Sequence, residues 1–196
     1  MKTKTKAIAL TLCAVLLVVA SVMGTMAYLT SKDTVTNTFT VGNVSITLDE
    51  ANVTEYGVKV PDAKRVKANS YNLVPGHTYV KDPTVHVVAN SEESYVFVKV
   101  ENGLSAYEAT NNTIATQIIE KGWTALEGQT GVYYKTVVKS ADAQDLVVFS
   151  SFTLSDTANN VDGWANLGSS NITVKAYAIQ KDGFADAAAA WNAVNH

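Results

Sequence analysis

The sequence predicts a mainly β protein, an antiparallel β-sandwich of the jelly-roll type with one or two short helices. Three observations predict it. Period-two alternation dominates the chain beyond its first 27 residues, the alternating positions are β-branched and aromatic, and Gly-, Asn- and Ser-rich breaks recur between the runs.

Residues 1–27 read differently, as an export signal. Lys2, Lys4 and Lys6 stand without an acid before an apolar run over residues 7–20 that only Thr11 interrupts. Small, weakly polar residues follow, with Thr25 and Ala27 at the places a signal peptidase reads. Cleavage between Ala27 and Tyr28 is the expectation, which divides the chain into a signal, 1–27, and a single domain, 28–196. A retained anchor over residues 7–26 is the rival reading, since about 20 apolar residues span a bilayer. The short core and small-residue exit favour cleavage. With no second long apolar run, membrane contact is expected only through the uncleaved signal.

The 15 Lys and Arg against 18 Asp and Glu become 12 against 18 once the three signal lysines are removed, a net charge of −6. That balance argues against nucleic acid as a partner. The one cysteine, Cys13, lies in the signal. A mature chain without thiols excludes disulfides, thiolate metal sites and a cysteine nucleophile, so core packing must hold the domain together.

The first expected strand covers residues 34–41, where threonines at 34, 36, 38 and 40 alternate with Val35, Asn37, Phe39 and Val41. After Gly42-Asn43, the residues Val44, Ile46 and Leu48 resume the pattern. Leu73-Val74-Pro75-Gly76 predicts a tight turn, because proline fixes one backbone angle and glycine permits the next. Val85 and Val87, then Val96, Val98 and Val100 beyond a polar break, predict a hairpin. Further strands are expected over residues 132–138, 146–154 and 171–179, the last with Ile172, Val174, Ala176 and Ala178 inward. Helical spacing predicts two short helices, over 111–121 and 184–194, the second capped by Asp182. Residues 156–170 read as a loop.

Chemistry is sparse. His77, His86 and His196 match no metal-binding spacing and read as solvated side chains, and neither His-Glu-x-x-His nor Gly-x-Ser-x-Gly occurs. Glu92-Glu93 and Asp142 with Asp145 read as solvated turns. No catalytic residue, metal or cofactor is therefore assigned. Tyr95, Phe97 and Tyr177 lie opposite the valine faces of their strands and are the candidate surface aromatics. They predict either a second face covered by a helix or loop, or a surface for sugar stacking or subunit contact.

The run from Gly24 to Asp33, with Asn37-Thr38-Phe39-Thr40-Val41-Gly42-Asn43-Val44-Ser45-Ile46-Thr47-Leu48, resembles the start of the TasA and camelysin family. Asn72-Leu73-Val74-Pro75-Gly76 resembles that family's Leu-x-Pro-Gly turn, and residues 81–99 resemble its next pair of strands. The resemblance implies a Gram-positive, exported jelly-roll protein released by a signal peptidase of the SipW type. For the TasA branch it implies a subunit of extracellular biofilm-matrix fibres, in which the freed N-terminal strand of one subunit completes the sheet of the next. The candidate donor residues here are Val35, Phe39 and Val41, and the expected partners are further copies of the chain, head to tail, or related matrix proteins. Two other functions stay open: a camelysin-like surface metalloprotease, and a carbohydrate-binding or adhesin module using Tyr95, Phe97 and Tyr177.

Overall fold

The computed structural model describes residues 43–164, 167 and 170–194. The signal with its Ala27–Tyr28 junction, the strand expected at residues 34–41 and His196 lie outside the described residues.

Nine strands and two α-helices follow in order among the described residues: β1 (Ile46–Asp49), β2 (Thr78–Val80), β3 (Thr84–Val87), β4 (Ser94–Asn102), α1 (Ile114–Glu120), β5 (Thr124–Ala125), β6 (Val132–Val137), β7 (Gln144–Val147), β8 (Ser151–Thr153), β9 (Ile172–Gln180) and α2 (Ala187–Val194). Every pairing is antiparallel, in three sheets ordered β1-β3-β7, β2-β8 and β5-β6-β4-β9. The mainly β, antiparallel prediction is met.

The main core lies between the three- and four-stranded sheets. Val85 and Val87 of β3 meet Val96, Val98 and Val100 of β4 there, with Phe149, Phe152, Leu154, Ile114, Ile118 and Trp123. The expected hairpin of these two valine runs does not form. β3 pairs with β1 and β7, whereas β4 pairs with β6 and β9. The turn at residues 88–93, with Asn90 at φ 62° and Ser91 N–H on the Val88 carbonyl, carries the chain from one sheet to the other. The two greasy faces thus oppose each other across the core instead of lying side by side. Nine-residue β4 also finds in β9 a partner of its own length, which four-residue β3 cannot offer.

The expected strand over 146–154 is two strands. β7 ends at Val147 on β3 and β8 starts at Ser151 on β2, with the fully buried Val148 and Phe149 in the break between them. Gln117 of α1 fills the break: its amide oxygen accepts from Ser150 N (3.1 Å) and Ser151 N (3.3 Å), and its amide nitrogen donates to Ser151 O (2.8 Å). Thr113 caps α1 by accepting from Thr116 N at 3.2 Å. Gln117→Ala is expected to destabilise the fold by about 1–3 kcal/mol, since it strands backbone groups at a buried site; urea unfolding checks it.

The Pro-Gly turn forms as expected, with Gly76 at φ 72° and His77 N–H on the Val74 carbonyl at 3.2 Å. It feeds β2, a strand the sequence did not reveal, whose Tyr79 stacks on Phe152 at 4.7 Å.

A second core forms on the far face of the four-stranded sheet. Tyr95, Phe97, Leu126 and Val132 are covered by Ala187, Ala190 and Trp191 of α2. The helix is capped by Asp186, which accepts from Ala189 N at 2.8 Å, and not by Asp182. It begins three residues later than the spacing implies, because Asp182-Gly183 forms a turn, with Gly183 at φ 94°.

Candidate functional site

The most distinctive surface among the described residues is the seam between β1 and β9, terminal strands of their sheets. On β1, Glu50 and Val66 exchange backbone hydrogen bonds of 2.9 and 2.8 Å, and the Lys67 ammonium donates to the Leu48 carbonyl, so that edge is partly covered. On β9 the far edge carries no ladder among the described residues, although its inward row, Ile172, Val174, Ala176 and Ala178, packs on the core only half-buried. A cavity of about 430 Å³ separates Leu48 and Asp49 from Ile172 and Val174. A second, of about 420 Å³, runs on toward Tyr71, Phe152 and Trp164, and both share Asn69 and Lys81.

Ionic groups cluster around β1. The Glu50 carboxylate accepts from Lys81 Nζ at 2.6 Å and from Asn69 Nδ2 at 2.9 Å, with the Glu50 and Lys81 side chains only 6 % and 10 % exposed. Asp82 accepts from Ala51 N at 2.6 Å and pairs with Lys59 at 3.1 Å, and Arg65 reaches both Asp82 and Asp49. Burial works against the charge of Asp49, but hydrogen bonds from Arg65 and His86 outweigh it and hold the carboxyl below its ordinary range. For Asp82, burial is likewise overcome, chiefly by the Ala51 N–H and Lys59.

His86 is not a solvated histidine. Its Nε2 lies 2.8 Å from Asp49 on β1 and its Nδ1 2.7 Å from Asp145 on β7, so the ring joins all three strands. Neutral imidazole has one N–H and serves one carboxylate; the imidazolium serves both. The Asp49 bond, aided by Asp145 and opposed by burial, raises the His86 pKa. The stability this contributes is fully present below the unfolded value of about 6.5 and is lost as pH rises through the higher folded value. The depressed carboxyls act in the opposite direction, their contribution being lost as pH falls through their folded values. His86→Gln is expected to remove the alkaline-side loss while leaving the acid-side loss in place, as measured by unfolding midpoints between about pH 5 and pH 9.

The remaining expectations are corrected or placed as follows. Tyr95 and Phe97 are 8 % and 0 % exposed, and Tyr177 packs edge-on against Trp191 at 5.4 Å, so these three form no exposed stacking platform. The covered-face alternative is the one realised, because α2 lies over them. His77 has a partner too, with Nε2 2.9 Å from the Tyr56 carbonyl. Glu92 pairs with Lys139 and Glu93 with Lys181, each at 2.6 Å, and Asp145 sits in a strand instead of a turn. Among the described residues, no three His, Cys, Asp or Glu side chains gather as a metal ion would require, and no helix is long and apolar enough to cross a membrane. Val35, Phe39 and Val41 lie outside the described residues. Sequence reasoning missed Glu50, Lys81 and Asn69 altogether; they match no motif, and their only signal was the presence of charge beside apolar strands.

Comparison with protein-family models, with curated proteins and with solved structures finds no match to this chain.

Proposed function

We propose that this chain is a non-enzymatic structural subunit of a bacterial cell-surface or biofilm-matrix fibre, related to the TasA and camelysin family and folded as a jelly-roll sandwich. In this reading the chain is exported, a SipW-type peptidase cuts between Ala27 and Tyr28, and the strand of residues 34–41 adds to the sheet of the next subunit. The observation that carries the proposal is the edge of β9, which has no ladder partner among the described residues and stands above a half-buried apolar row and a groove. An edge of this kind accepts a strand by β-augmentation.

Length supports the match. Eight residues extend about 26 Å and nine-residue β9 about 30 Å at roughly 3.3 Å per residue. Val35, Phe39 and Val41 recur on one face of the strand, the face that would meet Val174, Ala176 and Ala178. A contact between one end of the chain and an edge elsewhere on its copy does not close, so it propagates as a filament. Chains starting at Tyr28 and at residue 42 are to be compared by electron microscopy and sedimentation. Filaments from the longer chain and monomers from the shorter are the expected result; identical monomers in both samples would overturn the reading.

A further inference from the structure

The cluster at the end of β1 holds every group that an acyl transfer between two side chains requires. Lys81 Nζ, the nucleophile, is 2.6 Å from Glu50 Oε2, and Asn69 Nδ2, the leaving group, is 2.9 Å from Glu50 Oε1. One carboxylate therefore touches both the amine that attacks and the nitrogen that departs, the position of a general base that becomes a general acid. The amide oxygen of Asn69 accepts the Val53 backbone N–H at 3.1 Å, so a fixed donor already points at the atom where negative charge develops. The Glu50 and Lys81 side chains are 6 % and 10 % exposed, so the pair that exchanges the proton is largely withdrawn from solvent, while half-buried Asn69 lines the adjoining cavities. Both reactants thus share one carboxylate within a single folded chain, which makes the reaction between them intramolecular.

We propose that Lys81 and Asn69 form an intramolecular isopeptide bond in the folded protein, with Glu50 as the proton-transferring residue. The Lys81 ammonium gives a proton to Glu50, and the freed lone pair makes the Nζ–Cγ bond while the carbonyl electron pair moves to Oδ1 against the Val53 N–H. The Cγ–Nδ2 bond then breaks, Nδ2 takes the proton from Glu50, and the carbonyl reforms. The remaining extra proton on Nζ passes through Glu50 to the departing ammonia. In sum, an ammonium and a carboxamide give a secondary amide and an ammonium ion, with Glu50 regenerated and no oxidant or co-reactant consumed.

The bond would close the segment from Asn69 to Lys81, which contains the Pro75-Gly76 turn and all of β2. It supplies a covalent staple to a chain whose single cysteine excludes an intrachain disulfide.

Tryptic mapping of the full chain, purified folded and then denatured, tests this directly. Without the bond, cleavage after Lys81 yields separate peptides 68–81 and 82–99. With it, Lys81 resists trypsin, and the map shows one peptide 68–99 lighter by one ammonia, with fragment ions joining Asn69 to Lys81. Glu50→Gln is expected to restore cleavage after Lys81 and the full mass. Separate unmodified peptides from the folded native chain would overturn the proposal. So would loss of ammonia at Asn69 with Lys81 still cleaved, the mark of a succinimide, and undiminished bond formation in the Glu50→Gln chain would overturn the role of Glu50.

Discussion

Replacing Trp191 by alanine is expected to lower the unfolding free energy by about 3–5 kcal/mol, the range for deleting a buried aromatic side chain that its surroundings cannot refill. Trp191 is 2 % exposed and spans the second core, 5.3 Å from Phe97 and 5.4 Å from Tyr177 between ring centroids. Its helix presents little else of size on that face, since Ala187 and Ala190 are its companions. No neighbour can therefore close the gap, and Phe97 would face water. An exposed control, Val138→Ala, with 64 % of the residue already in solvent, is expected to change stability by less than about 0.5 kcal/mol. Guanidinium unfolding of the two variants measures the contrast. A loss below about 1 kcal/mol for Trp191→Ala would mean that α2 is not a structural cover, and would reopen Tyr95, Phe97 and Tyr177 as a binding face.

Local pattern carried as much of the fold as local physics determines. β6 and β9 appear nearly where alternation placed them, because the side-chain period of a strand is written in adjacent residues. α1 is legible in Ile114 and Ile118, whose spacing of four puts them on one face of a helix. Pairing was not legible. Val85, Val87 and Val96, Val98, Val100 read equally well as neighbours in one sheet or as opposite walls of a core, and only the partners β1, β6, β7 and β9 decide. β4 also hides its nature from a two-face reading, since Tyr95 and Phe97 are buried on one side and Val96 and Val98 on the other. β2 has three residues and is held by Phe152 from far along the chain, which no window of sequence reveals.

The ionic clusters are harder still to foresee. His86 alternates outward as expected, yet its partners lie 37 and 59 residues away. Glu50 finds Asn69 and Lys81 at separations of 19 and 31. Spacings like these carry no motif, because the meeting point is made by sheet register and by the path of residues 67–73. The half-buried row of β9, by contrast, was visible as an inward face in the sequence; that its outer edge is the end of a sheet was not.

The second large effect concerns assembly, and it follows from that edge. In the proposed assembly a strand added to β9 would extend the ladder of that sheet and set Val35, Phe39 and Val41 beside Val174, Ala176 and Ala178 on the same face, so affinity is expected to come from backbone pairing and specificity from the three apolar side chains. Deleting residues 28–41 removes both. The shortened chain is expected to keep the described fold, to lose its means of reaching a neighbour and to act only as a terminal cap on chains that start at Tyr28. Replacing Val35, Phe39 and Val41 together by serine leaves the ladder possible but strips the groove of its filling, so filament yield is expected to fall steeply with no change in the far-ultraviolet spectrum of the domain.

The most direct measurement is a titration of the chain spanning residues 42–196 with a synthetic peptide of residues 28–41, followed by calorimetry and by protection of β9 amides from hydrogen exchange. Saturable binding of one peptide per chain, with new protection along residues 172–180 and none for the triple-serine peptide, is the predicted result. A folded chain that ignores the peptide, or that forms filaments without the strand, would contradict donor-strand assembly.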